Sequence, residues 1–151
     1  MLKLKIGYKG GDMKPRDLDE VKREVEEIQD ESGKKVDEKI KPLVIGLKRW
    51  GVNTEASCQG HRRSKSEVLL FPSVIISPKD YRRVKKLISA FGGNSWIIKK
   101  ESWVNEKGKK FLQMKLLPKN KDHRKLVRMQ KDAIKFGKFL QELPEGWFKR
   151  S

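Results

Sequence analysis

The spacing of apolar residues along the chain switches between a period of two and a helical period, and each switch marks a new element. Residues 2–8 alternate apolar with polar or small side chains, which is typical of a strand with one buried face. Residues 18–28 place their apolar side chains on one helical stripe, and Asp17 suits the helix N-terminus. We expect Gly33 to close this first helix.

A second helical stripe covers residues 36–50. Pro42 lies near its first turns, where a missing N–H is tolerated, so the regular part is expected to begin near Lys39. Gly46 destabilises a helix interior by about 1 kcal/mol relative to alanine, which indicates close packing at that position. Gly51 is a natural residue to follow the last turn, and residues 52–57 suggest a short strand after it.

The apolar run at residues 68–76 predicts a central strand, in which Pro72 is a candidate bulge. Ser77 and Pro78 are suited to a helix start, and residues 81–91 continue with a helical stripe that Gly92 should end. The face of this helix opposite the stripe is basic.

The last third of the chain predicts a hairpin followed by a helix. Residues 95–104 and 111–117 alternate on either side of a turn at 105–108. The final helix is expected over about 121–143, with residues 147–148 folded back as a C-terminal plug.

The resulting β-α-α-β-β-α-β-β-α order predicts one α+β domain over residues 1–151, with a mixed or antiparallel sheet packed against three to four helices. No run approaches the ~18 apolar residues of a membrane span, and the first residues lack a signal-peptide core. The single cysteine cannot form an internal disulfide, which fits a reducing compartment. We therefore expect a cytoplasmic protein with no membrane partner; the sequence sets no oligomeric state.

Charge divides the chain unequally and points to a class of partner. Residues 1–38 carry 9 Lys and Arg against 11 Asp and Glu, whereas residues 39–151 carry 28 against 9, and the whole chain has a formal net charge of +17. An excess of this size is typically neutralised by a polyanion, which indicates nucleic acid. One basic helix would be an ordinary solvated face, but two such helices argue for an interface. The candidate nucleic-acid-binding residues are Arg82, Arg83, Lys85, Lys86, Arg124, Lys125, Arg128 and Lys131.

Four aromatic residues are candidates for stacking on unpaired bases: Trp50, Tyr81, Trp96 and Trp103. Residues of this type lie in the core more often than on an interface.

Residues 53–63 concentrate the reactive and polar side chains of the sequence around one glycine. Cys58 and His61 have the spacing of two zinc ligands, but a zinc site needs three or four, so no metal site is predicted. The same pair is a candidate catalytic thiol and imidazole, since neighbouring cations activate a thiol. Cys58 is also consistent with a small buried residue at the end of a strand, as free cysteines usually are.

The donors that follow Cys58 favour an anion- or nucleotide-binding loop over these alternatives. A glycine turn with clustered N–H, amide, imidazole and guanidinium groups can donate to phosphate at every position. The predicted anion-binding residues are Ser57, Gln59, Gly60, His61, Arg62 and Arg63.

A Val-Asp-x-x-Ile helix at 36–40, leucines at 43 and 47, and the loop Thr-Glu-Ala-Ser-Cys-Gln-Gly at 54–60 follow one another. This series, within residues 33–76, resembles the methyltransferase family of tRNA wybutosine synthesis. It is also similar to small uncharacterised prokaryotic and viral proteins with a Ser-Cys-x-Gly-His signature, which imply no activity.

The methyltransferase resemblance implies an α/β-type fold, S-adenosylmethionine as cofactor, a modified guanosine of tRNA as substrate, and a site at Ser57, Cys58 and Gly60. Two positions depart from the family pattern: His61 stands in place of arginine, and Ala56 in place of serine. The later motifs of the family are not found in residues 77–151, so the fold can carry over without the methyl transfer.

Three functions remain open from the sequence. The first is a small basic protein associated with nucleic acid, RNA favoured over DNA, as a relative of the tRNA methyltransferases. The second is an enzyme that uses Cys58 and His61 on a small molecule. The third is a non-catalytic protein that coats DNA or RNA.

Overall fold

Helix α1 (Leu18–Glu27) begins where the first helical stripe begins. The structure, a computed structural model, describes residues 13–61, 71–92, 95–119 and 125–148; the predicted strand at residues 2–8 lies outside them. The Asp17 carboxylate caps α1 by accepting a hydrogen bond from the Glu20 N–H at 3.0 Å. The prediction that Gly33 closes α1 is wrong. The helix ends six residues earlier, because Ile28 is already extended, and Gly33 forms a separate turn with φ of 87°.

Helix α2 (Lys41–Arg49) begins two residues later than predicted. Pro42 lies in its first turn, where a backbone N–H would have no acceptor within the helix, so the proline removes no helical hydrogen bond. Gly51 follows the helix with φ of 84°, as expected, because an L side chain would be strained there.

Within the described residues, the sheet has four strands in the order β1-β2-β4-β3, and every neighbouring pair is antiparallel. The strands are β1 (Thr54–Cys58), β2 (Ser73–Ile76), β3 (Trp96–Val104) and β4 (Lys110–Pro118). With the helices of the described part, they form the predicted single α+β domain. The α/β-type fold that the methyltransferase resemblance implies would contain parallel strand pairs; in the described residues all strand pairs are antiparallel.

Pro72 does not bulge a strand as predicted. It precedes β2, whose first residue is Ser73, because a proline has no N–H to donate to a ladder. Residues 68–70 lie outside the described part. The irregular pairing occurs instead in β1, where the register with β2 shifts between Thr54 and Ala56.

Two helices complete the fold. Helix α3 (Tyr81–Phe91) follows a 3-10 turn at Pro78–Asp80 and stops at Gly92, as predicted. Helix α4 (Leu126–Glu142) lies within the predicted range of about 121–143. Residues 120–124 lie outside the described part. The two helices meet through Phe91 and Phe136, whose rings stack with centroids 4.6 Å apart.

The core lies between the helices and one face of the sheet. The register aligns Val74 with Leu116 and Ile76 with Met114, and all four side chains are buried with the inner stripes of the helices. By strand alternation, Ser57 shares this face of the sheet, whereas Cys58 lies on the other.

Two glycines let α2 and α4 approach closely. A Cβ added at Gly137 would collide with the backbone of Pro42 and Leu43, and one at Gly46 would lie 2.8 Å from the Gly137 carbonyl oxygen and from the Leu140 Cβ. This confirms the close packing expected at Gly46.

The residues that follow α4 fold back in part, as predicted. The ring of Phe148 meets that of Trp50 edge-on at 5.2 Å, whereas Trp147 remains 54% exposed.

Candidate functional site

Strand β1 ends in a tight turn that contains three of the predicted anion-binding residues, Gln59, Gly60 and His61. Gly60 has φ of 84° and is buried, and its N–H donates to the Cys58 Sγ at 3.3 Å. Cys58 is half-buried at the end of the strand, whereas His61 is exposed. The thiol therefore accepts a hydrogen bond within the turn, as a supporting residue would.

Gln59 is held from three directions. Its backbone N–H donates to the Asp37 Oδ2 at 3.1 Å, its Oε1 accepts from the Lys39 N–H at 2.9 Å, and its carbonyl accepts from the Gln130 Nε2 at 3.0 Å. The backbone N–H groups of Gln59 and Gly60 thus both donate inside the protein. An anion bound at this turn would depend on side chains, or would have to displace the Asp37 carboxylate.

Gln130 joins α4 to this turn, and it is absent from the predicted site. Its side-chain amide, in a residue 6% exposed, donates to the carbonyl oxygens of Gln59 and Gly60, at 3.0 and 3.2 Å, and accepts from the Lys39 Nζ at 3.4 Å. The signal in the sequence is a glutamine on the apolar stripe of α4, directly after Met129. A polar residue at such a position needs buried hydrogen-bond partners.

Asp37 is the second residue that the prediction did not place at the site. Its Oδ1 pairs with the Lys34 Nζ at 3.1 Å, while its Oδ2 holds the turn. The hydrogen bond from Asp37 raises the pKa of Lys34 above its usual value. Asp37 and Lys34 place the loop that follows α1 beside the end of β1.

A cavity of about 320 Å³ lies between that loop and β1. Ser57, Cys58 and His61 line it, so the structure does bring the thiol and the imidazole of the motif to one cavity. The charged lining residues are of both signs: Asp30, Asp37 and Glu55 with Lys34 and Lys35. The mixed charge favours a polar or zwitterionic molecule over a simple anion.

No group of three His, Cys, Asp or Glu side chains is placed to hold a metal ion, within the four described ranges of the chain. Arg62, Arg63 and Arg124 were predicted as binding residues and lie outside those ranges.

The basic residues of α3 are divided between solvent and structure. Arg82 and Lys85 are exposed, and Lys86 is half-buried. Arg83 is also half-buried and donates from its Nη1 to the Trp50 carbonyl oxygen at 3.1 Å. Arg83 therefore helps to hold α3 against the end of α2, a role that the charge pattern did not reveal.

The basic residues of α4 all face solvent. Lys125 precedes the helix and is exposed, and so are Arg128 and Lys131. The exposed stripe continues along the helix through Lys135 and Lys138. We call Arg128, Lys131, Lys135 and Lys138 the α4 stripe.

The four candidate stacking residues differ in their exposure to solvent. Trp50 and Trp96 are 0% and 1% exposed and belong to the core, and Tyr81 is half-buried beneath the ammonium groups of Lys85 and Lys100. Trp103 is 49% exposed on β3. Of the four, the structure leaves one indole ring broadly open to a ligand.

Comparisons of this chain with protein-family models, curated proteins and solved structures gave no match. The resemblance to the tRNA methyltransferases therefore rests on the residues of the motif. Within the described residues, no helix is both long and apolar enough to cross a membrane.

Two separate surfaces are thus available for function. The cavity beside Cys58 is suited to a small polar molecule, and the turn that borders it is fixed by Asp37 and Gln130. The exposed cations of α3 and α4 are suited to an extended polyanion.

Proposed function

We propose that this protein binds nucleic acid, with RNA favoured over DNA, through the outer faces of α3 and α4. One observation carries the proposal: the exposed cations of the α4 stripe form no ion pair with any described residue. They follow one another at spacings of three and four residues, so they lie along one side of the helix.

The N-terminal part of the protein handles its cations differently. Arg16 pairs with Glu24 at 2.6 Å, and Lys41 pairs with Glu26 at 2.8 Å. Among the described residues, positive charge is therefore paired with acids around α1 and left unpaired along α4. An unpaired row of like charges repels itself and is stabilised by a bound polyanion.

RNA is preferred in this proposal for two reasons. The exposed indole of Trp103 can stack on an unpaired base, and unpaired bases are the usual targets of RNA-binding proteins. The motif at residues 54–60 also resembles that of a family that acts on tRNA. By the same resemblance, S-adenosylmethionine is the cofactor to test first, by calorimetry. Absence of binding would argue against a relationship to the tRNA methyltransferases and would leave the proposal of RNA binding intact.

The test of nucleic-acid binding removes three charges from the α4 stripe. A variant with Arg128→Gln, Lys131→Gln and Lys135→Gln should bind labelled tRNA and single-stranded RNA more weakly than the unmodified protein, in fluorescence anisotropy titrations. Because each phosphate contact contributes about 0.7 to the salt dependence on a single strand, the slope of log K against log salt should fall by roughly 2.

A matched control removes the same number of exposed charges from the acidic end of the protein: Lys14→Gln, Lys22→Gln and Arg23→Gln. We expect it to retain most of the affinity. Failure of the unmodified protein to bind either RNA at about 50 mM salt would refute the proposal. Equal losses in both variants would show general charge attraction without a binding face.

The cavity favours a second candidate function, an enzyme that uses Cys58 and His61 on a small polar molecule. The thiol and the imidazole line the same cavity, which the sequence alone could not show. Alkylation of Cys58 in the folded protein, compared with the same protein carrying His61→Ala, measures whether the imidazole activates the thiol. Equal rates would argue against this function.

A further inference from the structure

The hairpin of β3 and β4 extends beyond the rest of the sheet. β2 pairs with β4 only from Met114 to Leu116, whereas β3 pairs with β4 over its whole length, out to Val104 opposite Lys110. The outer part of the hairpin, residues 101–113, is therefore a two-stranded ribbon. The turn is well ordered by Asn105, whose side-chain oxygen accepts from the N–H groups of Lys107 and Lys109 at 2.9 Å each.

This ribbon carries a stacked pair of aromatic rings on one face. Trp103 lies directly opposite Phe111, and their ring centroids are 4.4 Å apart with planes inclined by 21°. One face of the indole is thus covered by Phe111. Because Trp103 is still 49% exposed, its other face is open to solvent. Exposure of an indole ring on a projecting ribbon is unfavourable unless something covers it.

The strands and turn that carry the aromatic pair are rich in lysine. Six lysines and two glutamates lie between residues 99 and 115. The Lys109 Nζ lies 5.5 Å from the centroid of the Phe111 ring, and Glu101 is already engaged by Lys99 at 3.5 Å and by Lys115 at 3.7 Å. Strand alternation places Lys99, Glu101 and Trp103 on one face of β3. The ring therefore lies in a positive surrounding, with the nearest strand carboxylate neutralised.

We propose that the outer part of the β3–β4 hairpin is a stacking platform for single-stranded nucleic acid, in which an unpaired base lies on the open face of Trp103. Lys109, whose Nζ lies 5.5 Å from the centroid of the Phe111 ring, is placed on the same side to contact a phosphate next to that base. The inference rests on the proposed function, and it adds the segment of the protein that would bind single-stranded nucleic acid. A paired base offers no free face, so the platform discriminates against duplexes.

Charge decides between this occupant and a second copy of the chain. β3 is the edge strand of the described sheet and could pair with another β3. Two copies would then bring their lysines together, which is unfavourable. A nucleic-acid strand supplies both the aromatic base and the negative charge that this surface lacks.

The experiment compares Trp103→Ala, Trp103→Phe and Leu112→Ala. Leu112 is the matched control, because it is 52% exposed on the same ribbon and faces the opposite side. Affinities are measured by anisotropy for single-stranded RNA, single-stranded DNA and duplex RNA. We expect Trp103→Ala to weaken binding of the single strands by about 10- to 100-fold, and Trp103→Phe to retain most of it. Binding of the duplex and the effect of Leu112→Ala should change little.

The outcomes separate the two proposals. If the unmodified protein binds none of the three nucleic acids, the proposed function fails and the platform with it. If it binds them and Trp103→Ala binds single strands equally well, the platform is wrong and the proposed function stands. A change of oligomeric state in Trp103→Ala, seen by light scattering without a loss of affinity, would show that the ribbon joins copies of the chain. A larger loss on DNA than on RNA would assign the platform to DNA.

Discussion

At the scale of single residues, the turn after β1 is held by a few polar groups that are wholly or partly buried. The Gln130 amide satisfies two carbonyl oxygens, and the Asp37 carboxylate satisfies one backbone N–H. Buried groups of this kind are expensive to leave without partners, at roughly 1–3 kcal/mol each. The position of the motif residues around the cavity therefore depends on side chains that lie far from them in sequence.

Replacement of Gln130 by leucine should destabilise the protein by about 1–3 kcal/mol, because the carbonyl oxygens of Gln59 and Gly60 lose their donor. Urea unfolding measures the loss, and hydrogen exchange of the turn amides should accelerate. Gln141→Leu is the comparison on the same helix, since it removes a single bond, to the Pro42 carbonyl oxygen. Unchanged hydrogen exchange of the turn amides in Gln130→Leu would show that the turn does not depend on Gln130.

At the scale of elements, the α2–α4 contact fixes the framework. The Trp50 Nε1 donates to the Leu140 carbonyl oxygen at 2.8 Å, and Gly46 and Gly137 let the helix backbones approach. α4 therefore has two roles on opposite sides. Its inner side packs on α2 and reaches the turn through Gln130, and its outer side presents the α4 stripe.

Gly137→Ala should lower the free energy of unfolding by about 1–3 kcal/mol. The added methyl group meets the backbone of Pro42 and Leu43, which cannot rotate away, and the gain in helix propensity of about 1 kcal/mol offsets only part of the strain. Lys138→Ala, at the adjacent exposed position, should leave stability nearly unchanged in the same thermal or urea unfolding measurements. An increase in stability for Gly137→Ala would mean that α2 and α4 can separate slightly at no cost.

Elements with a clear period could be predicted from the sequence, and long-range polar contacts could not. The stripes of α3 and the alternation of the hairpin report a buried side directly. The partners of Gln59 lie 20, 22 and 71 residues away, in Lys39, Asp37 and Gln130, and no local pattern encodes such pairings. Likewise, periodicity shows that Trp103 lies on a strand, but only the register with Phe111 shows that its ring is stacked and open.

At the scale of the whole molecule, most ion pairs of the described residues use acids of the N-terminal part, and Glu101 with Lys99 and Lys115 is the exception. The acid-rich N-terminal part pairs its charges, and those pairs lower the pKa of Glu24, through Arg16, and of Glu26, through Lys41. The basic remainder relies on solvent, salt or a partner to moderate repulsion within its net charge.

The ion pair between Arg16 and Glu24 predicts how the stability of the protein depends on pH. The folded-state pKa of Glu24 lies below the value of about 4.3 expected in the unfolded chain, so its contribution is complete above about pH 5 and disappears as the pH falls through the folded-state pKa. The melting temperature should therefore fall on acidification, and Arg16→Gln should flatten that fall while lowering stability at neutral pH. Lys22→Gln, a charge removed from the exposed side of α1, should follow the unmodified protein. A fall of the same depth in Arg16→Gln would exclude the pair as a cause.

The free outer part of the hairpin also sets a distance. Beyond the end of β2, β3 and β4 form backbone hydrogen bonds only with each other in the described sheet. Pairs of residues can therefore be added or removed there without repacking the interior. Each residue added to both strands lengthens the ribbon by about 3.4 Å, and an even number keeps Trp103 on the same face. The hairpin therefore acts as a spacer of adjustable length. A change in its length, by evolution or by design, would change the distance between a base stacked on Trp103 and the basic surface of the helices.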